Sequence, residues 1–222
     1  MIPVPVIAID GPSASGKGTI AQRVAEALGF HYLESGALYR VIAVISLGEK
    51  TLDESRLAGI AASMDLRFSG GLIFVQNQDV TEMVRGEEVG NRASEVARMR
   101  RVREALLGRQ RHFRQPPGLV ADGRDMGTVV FPDAALKVFL TASPKVRAER
   151  RYKQLIEKGI NANLRALSRD LKERDARDAN RAVAPLVPAP DSQVLDSTAL
   201  LVEAVVEKIL QMYKERALGG RG

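Results

Sequence analysis

The chain has 222 residues, 45% of them hydrophobic, which suffices for one domain with an insertion. It contains no cysteine and only two histidines, which argues against disulfides, Cys/His zinc sites and a Cys or Ser nucleophile activated by histidine. The net charge of +6 at pH 7 favours anionic partners, and the lack of a long apolar run or signal-peptide pattern predicts a soluble, cytoplasmic protein with no membrane partner.

A glycine-rich loop follows the first predicted strand, the apolar run Val6–Asp10. Its spacing is Gly-x-x-x-x-Gly-Lys-Gly-Thr, with the residues Gly11, Pro12, Ser13, Ala14, Ser15, Gly16, Lys17, Gly18 and Thr19. In loops of this kind the backbone N–H groups surround a phosphate and the lysine reaches its β and γ oxygens. We therefore predict a phosphate-binding loop, the alternative being a Gly/Ser-rich turn that binds nothing.

The residues after the loop add two details. Apolar side chains recur there at helical spacing: Ile20, Val24, Ala27 and Leu28. They predict an amphipathic helix whose N-terminal dipole strengthens the anion site. Gly18 stands where a Ser or Thr usually binds magnesium, so the usual hydroxyl ligand is absent from its usual position.

The second apolar run, Phe30–Leu33, ends at a polar segment that begins a helix. Within it, Ser35 is a candidate ligand or a simple helix cap, and Arg40 is a candidate anion-binding or surface residue. Between residues 64 and 80 the pattern predicts a small antiparallel insert of two strands, joined by a hairpin turn at Gly70–Gly71. A basic helical region follows at residues 93–113.

Two carboxylates and a guanidinium follow the third buried run, Leu119–Asp122. Asp122, Arg124 and Asp125 thus lie at the carboxyl end of a strand, where open α/β sheets bind ligands. Asp122 is suited to organise magnesium and its waters. This role is more useful here because Gly18 supplies no hydroxyl ligand for the metal. The alternative is an acid that caps the following turn.

Residues 144–181 are helical and arginine-rich. The arginines share two helical faces: Arg147, Arg150 and Arg151 on one, and Arg174, Arg177 and Arg181 on the other, with Asp178. A solvated, salt-bridged face is one explanation. Beside a phosphate loop, such arginines can instead stabilise a transferring phosphoryl group, which makes this segment a lid candidate. Aromatic residues that could stack bases make up only 5% of the chain, so we expect no nucleic-acid partner.

Five short apolar runs alternate with helical patterns over the whole chain. They lie at Val6–Asp10, Phe30–Leu33, Leu119–Asp122, Leu136–Ala142 and Val194–Leu195. Such alternation predicts an α/β fold with three layers, α/β/α, around a parallel five-stranded sheet.

These segments resemble one family, the bacterial cytidylate kinases, within the nucleoside monophosphate kinases. The resemblance rests on five stretches: residues 10–19, 35–40, 101–107, 121–133 and 180–186. It implies a P-loop kinase fold with a core at about 1–60, 115–143 and 185–216. An antiparallel NMP-binding insert would span about 61–114 and an Arg-rich helical lid about 144–184. Glu34 departs from the Asp that many members have there.

The resemblance implies an ATP-dependent kinase of CMP or dCMP that acts as a monomer with Mg²⁺. Lys17, Arg124, Arg150 and Arg181 would be catalytic, and the loop Gly11–Thr19 with Arg151 would bind ATP. The acceptor would be bound by Ser35, Arg40, Ser94, Arg103, Arg124, Asp125, Arg174, Asp178 and Arg181, and Asp122 would hold the metal through water. For Ser94, helix capping is an equally good explanation.

The chemistry of the base agrees with this implication. Cytosine offers an N4 amino donor and the N3 and O2 acceptors, to which Asp125 and Arg103 are complementary, whereas uracil would face the carboxylate with a second acceptor. The rival functions are a kinase of another small acceptor, such as UMP, AMP or shikimate, and a P-loop ATPase stimulated by nucleic acid.

Overall fold

The computed structural model of the protein describes residues 3–69 and 72–219. In this part of the chain the strands are β1 (Val6–Asp10), β2 (His31–Glu34), β3 (Leu66–Ser69), β4 (Leu72–Val75), β5 (Gln78–Asp79), β6 (Leu119–Gly123), β7 (Leu136–Thr141) and β8 (Gln193–Asp196). The α-helices are α1 (Lys17–Leu28), α2 (Ser35–Gly48), α3 (Glu54–Ser63), α4 (Thr81–Val84), α5 (Glu87–Val96), α6 (Arg100–His112), α7 (Pro144–Glu157), α8 (Leu164–Ala179) and α9 (Val202–Gly219). A short π-helix, Met126–Val130, follows β6.

The chain divides into two compact units. The first comprises Met1–Leu33 and Phe113–Gly222, and the second comprises Glu34–His112. The assignment of core, insert and lid to functional parts of the chain stays a prediction.

A five-stranded sheet in the order β2-β6-β1-β7-β8 organises the first unit. β1 pairs in parallel with β6 and with β7, so that Ile7 lies opposite Val120 on one side and Leu136 on the other. Every residue of β1 is buried, because strands in the middle of a parallel sheet are covered on both faces. The predicted α/β fold with a parallel five-stranded sheet and a separate antiparallel sheet is confirmed.

Helices α1 and α9 pack against the sheet through buried apolar side chains. One residue of the predicted α1 stripe, Ala27, is exposed. Ile20 and Val24 of α1 are buried in the same cluster as Val205 and Ile209 of α9. Burial of such side chains contributes about 1.5 to 3 kcal/mol each, so this packing fixes the helix that begins at the glycine-rich loop. None of the described helices is long and apolar enough to cross a membrane.

The second unit differs from its predicted form in three respects. A third strand, β5, extends the predicted hairpin, because Gln76 and Asn77 adopt positive φ values of 48° and 65° and form a tight turn. The predicted turn at Gly70–Gly71 lies outside the described residues. The basic helical region at 93–113 is two helices, α5 and α6. The structure also has a helix that was not predicted, α3, which the Asp53 side chain caps.

The arginine-rich segment is likewise two helices and not one. Ser143 caps α7 by accepting a hydrogen bond from the Val146 N–H, and Asn163 caps α8 by accepting one from the Ala166 N–H. Gly159 lies between them at φ 72°, a left-handed conformation that favours glycine.

Candidate active site

The glycine-rich loop connects the end of β1 to the start of α1. Within it, Gly16 and Ala14 have φ values of 90° and 58°, so that the backbone curls as a phosphate-binding loop requires. Lys17, the first residue of α1, donates a hydrogen bond from Nζ to the Pro12 carbonyl oxygen at 3.3 Å. The Ser15 hydroxyl is buried and has no hydrogen-bond partner within the described part of the chain, which suits a group that meets a ligand.

Asp122, at the end region of β6, lies beside Gly18. The Tyr32 hydroxyl donates to Asp122 Oδ2 at 2.6 Å, and a Cβ at Gly18 would lie 3.7 Å from the same oxygen. Burial raises the pKa of Asp122, an effect that the nearby Lys17 ammonium opposes. Over the described ranges, no cluster of three or more His, Cys, Asp or Glu side chains could hold a metal ion. A single carboxylate next to a phosphate loop still fits Mg²⁺, which keeps several waters and takes substrate phosphates as ligands.

Arg124 connects the glycine-rich loop to helix α8. Its Nη2 donates to Ser13 Oγ at 2.8 Å, and its Nε donates to Asp178 Oδ2 at 2.8 Å. Asp178 is only 3% exposed, and burial alone would raise its pKa. The guanidinium groups of Arg124, Arg174 and Arg181 outweigh that effect. Together they hold the pKa of Asp178 below its ordinary value. The structure therefore brings three predicted acceptor-binding arginines around the carboxylate of a fourth predicted residue, Asp178.

Arg147 makes a second connection between the same elements. Its Nη1 lies 2.7 Å from Asp175 Oδ2 of α8 and donates to the Ser13 carbonyl oxygen at 3.1 Å. Arg147 and Arg181 are each 5% exposed, so a solvated face does not explain them. Sequence reasoning placed Arg147 on the lid face but gave it no role of its own.

A cavity of about 370 Å³ opens beside the glycine-rich loop. It is lined by Ala14–Gly16, Thr19 and Ile20 of the loop and α1, by Arg150, Lys153, Gln154 and Glu157 of α7, and by Ser197, Leu200–Val202 and Val205. Arg150 borders it and is fixed in place, since Nη1 donates to the Ser15 carbonyl oxygen at 3.1 Å and Nη2 to that of Ser197 at 2.7 Å. Arg151 is directed along α7, where it donates to Gln154 Oε1 at 3.3 Å.

Four predicted acceptor-binding residues lie in the second unit: Ser35, Arg40, Ser94 and Arg103. The Ser35 hydroxyl accepts a hydrogen bond from Gln110 Nε2 at 2.8 Å, so it does not cap α2. Ser94 is buried near the end of α5 and therefore does not cap its N-terminus.

The two predicted acceptor-binding arginines of the second unit, Arg40 and Arg103, donate hydrogen bonds to backbone carbonyl groups. Arg103 is 7% exposed, lies over the Tyr39 ring at 5.5 Å and donates to the Ala97 carbonyl oxygen at 3.2 Å. Arg40 donates to the Val84 carbonyl oxygen at 2.6 Å.

The most prominent residue that sequence reasoning missed is Asp10. It is buried, and its two carboxylate oxygens accept hydrogen bonds from the backbone N–H groups of Met126 and Gly127. One sequence signal was available, because a carboxylate that ends an otherwise apolar strand cannot be buried without partners.

The chain is similar over nearly its whole length to one family of known proteins. The family model for cytidylate kinase matches residues 7–215. A cytidylate kinase from Bordetella bronchiseptica is 58% identical over 212 residues, which are 95% of this chain and 95% of that protein. One from Ralstonia nicotianae is 55% identical over 213 residues, covering 95% of this chain and 93% of that protein.

Among solved structures, a gluconokinase from Sinorhizobium meliloti 1021 has the same fold. Its TM-score is 0.52 at 16% sequence identity, and the match covers 97% of this chain and 95% of the other.

Proposed function

Because the chain belongs to the cytidylate kinase family, we propose that it transfers the γ-phosphoryl group of ATP to CMP or dCMP through the residues described above. The products are ADP and CDP or dCDP. The observation that carries the proposal for the site is the position of Arg124. Its guanidinium bridges Ser13 of the glycine-rich loop and Asp178 of the proposed lid. The donor and acceptor phosphates would have to meet between these two elements.

The donor is proposed to occupy the glycine-rich loop and the adjoining cavity. Backbone N–H groups of Gly11–Thr19 would surround the β- and γ-phosphates, and Lys17 would neutralise them. The cavity, with apolar Leu200–Val202 and the α7 side chains, would accept the nucleoside. Arg150 borders this space and is proposed to be catalytic. Arg151, the next residue on α7, is proposed to bind ATP.

The acceptor is proposed to take phosphate, ribose and base contacts from different residues. Arg40, Arg124 and Arg181 would bind the phosphate, because guanidinium groups match the geometry of phosphate oxygens. Arg174 and Asp178 would bind the ribose. Ser94, Arg103 and Asp125 would recognise the base, and Ser35 is a further proposed contact of the acceptor.

The reaction needs no protein nucleophile and no general base. A nucleoside monophosphate has its second pKa near 6, so its phosphate is largely a dianion at pH 7. One of its oxygens attacks the γ-phosphorus in line, the bond from the γ-phosphorus to the β–γ bridging oxygen breaks, and ADP leaves. Lys17 and the lid arginines stabilise the charge on the transferring group, and closure around the site excludes water.

Mg²⁺ is the proposed cofactor, and it would neutralise charge on the donor phosphates. Asp122 would hold it through water, since its carboxylate lies next to Gly18 and is oriented by Tyr32. We further propose that the enzyme works in the cytoplasm, as a monomer and without a nucleic-acid partner, because ATP and the acceptor nucleotide suffice for the reaction.

Asp125→Asn is expected to relax the choice of base. The amide no longer offers an acceptor on both terminal atoms. Because an unmatched buried polar group costs about 1 to 3 kcal/mol, the preference for CMP over UMP should fall roughly tenfold to a hundredfold. The measurement is kcat/KM for both acceptors, together with the melting temperature.

Asp133→Asn is the matched control, since Asp133 lies eight residues later in the same segment and its side chain is 60% exposed. It should keep the wild-type preference. An unchanged CMP to UMP ratio in Asp125→Asn would remove Asp125 from the base site.

A further inference from the structure

Asp10 is a buried carboxylate for which the chemistry of phosphoryl transfer has no direct use. It is the last residue of β1, directly before Gly11, and only 5% of it is exposed. Its Oδ1 accepts a hydrogen bond from the Met126 N–H at 2.8 Å, and its Oδ2 accepts one from the Gly127 N–H at 2.8 Å. Both oxygens are thus committed to one short segment of backbone.

That segment continues the turn that presents Arg124 and Asp125. Met126 and Gly127 begin the π-helix, and Asp125 precedes it immediately. The two amides would be left without acceptors if the carboxylate were absent, because the turn itself uses other groups: the Asp125 carbonyl oxygen accepts from the N–H of Val129. Asp10 therefore supplies the acceptors for the first two N–H groups after Asp125, the residue proposed to recognise the base.

Close packing fixes the turn at the same points. A Cβ at Gly123 would lie 2.9 Å from Cγ and Cε of Met126, so the Met126 side chain folds back over that glycine. A Cβ at Gly127 would lie 3.1 Å from Cδ of Lys137, so the lysine stem packs against the second glycine. Gly123 is also the residue opposite Asp10 in the β1–β6 register. The carboxylate thus joins a rigid turn to the strand that leads into the glycine-rich loop.

We propose that Asp10 is a positioning residue: its carboxylate fixes the turn that carries Arg124 and Asp125, and thereby sets both side chains relative to the loop that begins at Gly11. The inference rests on the proposed function, in which Arg124 binds the acceptor phosphate and Asp125 recognises the base. Asp10 touches neither nucleotide in this arrangement and acts through the two backbone N–H groups.

Burial opposes the ionised form of Asp10, so an ionised carboxylate at this position is costly. Burial raises the pKa of Asp10 to about 7, although the two N–H groups act in the opposite direction. A charge at this position is therefore unfavourable compared with a neutral group of the same shape. The carboxylate has one property that a neutral amide lacks, which is two equivalent acceptors aimed at two consecutive N–H groups.

The test is Asp10→Asn, which preserves shape but leaves one of the two N–H groups facing an NH₂ donor. We expect KM for CMP to rise roughly tenfold and the CMP to UMP preference to fall roughly fivefold, while KM for ATP stays within about twofold. Acceptor affinity and base choice should change more than donor affinity, because every hydrogen bond described for the carboxylate goes to the turn.

Ile209→Val is the matched control, because it weakens the buried core at α9 without touching the site. It should lower the melting temperature and leave both KM values and the base preference unchanged. The proposal is overturned if Asp10→Asn keeps the wild-type KM for CMP and the wild-type preference. It is also overturned if that variant loses affinity for ATP and CMP equally.

Failure of this inference can be told apart from failure of the proposed function. If the wild-type enzyme shows no preference for CMP, the proposed function itself is wrong. If the wild-type enzyme prefers CMP and Asp125→Asn loses the preference while Asp10→Asn keeps it, only the role of Asp10 is wrong.

A measurement on the wild-type protein covers the case in which Asp10→Asn does not fold. Hydrogen exchange at the Met126 and Gly127 amides should be about a hundredfold slower than in an unstructured peptide, since both are bonded and buried. Exchange of either amide at the unprotected rate would overturn the proposal.

Discussion

Lys17→Met is expected to lower kcat by about 10³-fold, the size of effect seen when one preorganised donor to a developing negative charge is removed. Lys17 begins α1, and its ammonium lies over the loop, 3.3 Å from the Pro12 carbonyl oxygen. From there it would follow the charge that moves onto the β–γ bridging oxygen as the bond to the γ-phosphorus breaks. Methionine keeps the length of the side chain and removes only the charge and the donors.

The comparison that isolates this effect is Lys208→Met, which removes the same charge from the exposed surface of α9. Both variants should keep the wild-type melting temperature within about 2 °C, because neither disturbs the core. Only Lys17→Met should lose activity. A kcat within about threefold of the wild-type value would mean that Lys17 does not stabilise the transferring phosphoryl group.

Gly11→Ala is expected to destabilise the first unit by several kcal/mol, a large part of the roughly 5 to 15 kcal/mol that holds a folded domain together. A Cβ at position 11 would lie 2.0 Å from the carbonyl oxygen of Leu140 and 3.1 Å from its carbonyl carbon. The neighbour is backbone of β7 and cannot rotate away, so β1, β7 or the loop must move. The measurement is the free energy of unfolding in urea, with ATP binding followed in parallel.

Gly108→Ala provides the matched control for this glycine. Gly108 is exposed on α6, and nothing lies within 4 Å of an added Cβ, so alanine there should stabilise the protein by about 0.5 to 1 kcal/mol. If Gly11→Ala unfolds with the same free energy as the wild-type protein and binds ATP normally, the close approach of the loop to β7 is not required.

The sequence predicts those parts of the fold that depend on local patterns. Apolar periodicity predicts the strand at Val6–Asp10 and the helix α1 with a buried stripe. The structure has both elements, although Ala27 of the predicted stripe is exposed. The same reasoning missed α3, because Leu57 and Ala61 are its only buried apolar residues among many exposed ones. The tight turn at Gln76–Asn77 was missed as well, since neither residue there is glycine.

The site is predictable in its residue types and not in its contacts. The sequence showed Asp122, Arg124 and Asp125 at the end of a predicted strand, which is β6 in the structure. Their importance could be predicted because ligands bind at the carboxyl ends of strands in parallel sheets. The ion pair of Arg124 with Asp178 joins residues 54 positions apart, and Asp10 meets the Met126 N–H 116 positions away. Local spacing carries no information about such pairs, which depend on how the strands and helices pack.

The central claim is that the protein phosphorylates cytidine monophosphates. The most direct test measures ADP release from ATP with CMP, dCMP, UMP, AMP or shikimate as the acceptor. A further sample contains RNA and no acceptor. We predict kcat/KM for CMP or dCMP at least about tenfold above that for UMP, with AMP, shikimate and RNA giving no more than the rate without acceptor. A clear preference for another acceptor, or ADP release that RNA stimulates, would contradict the account.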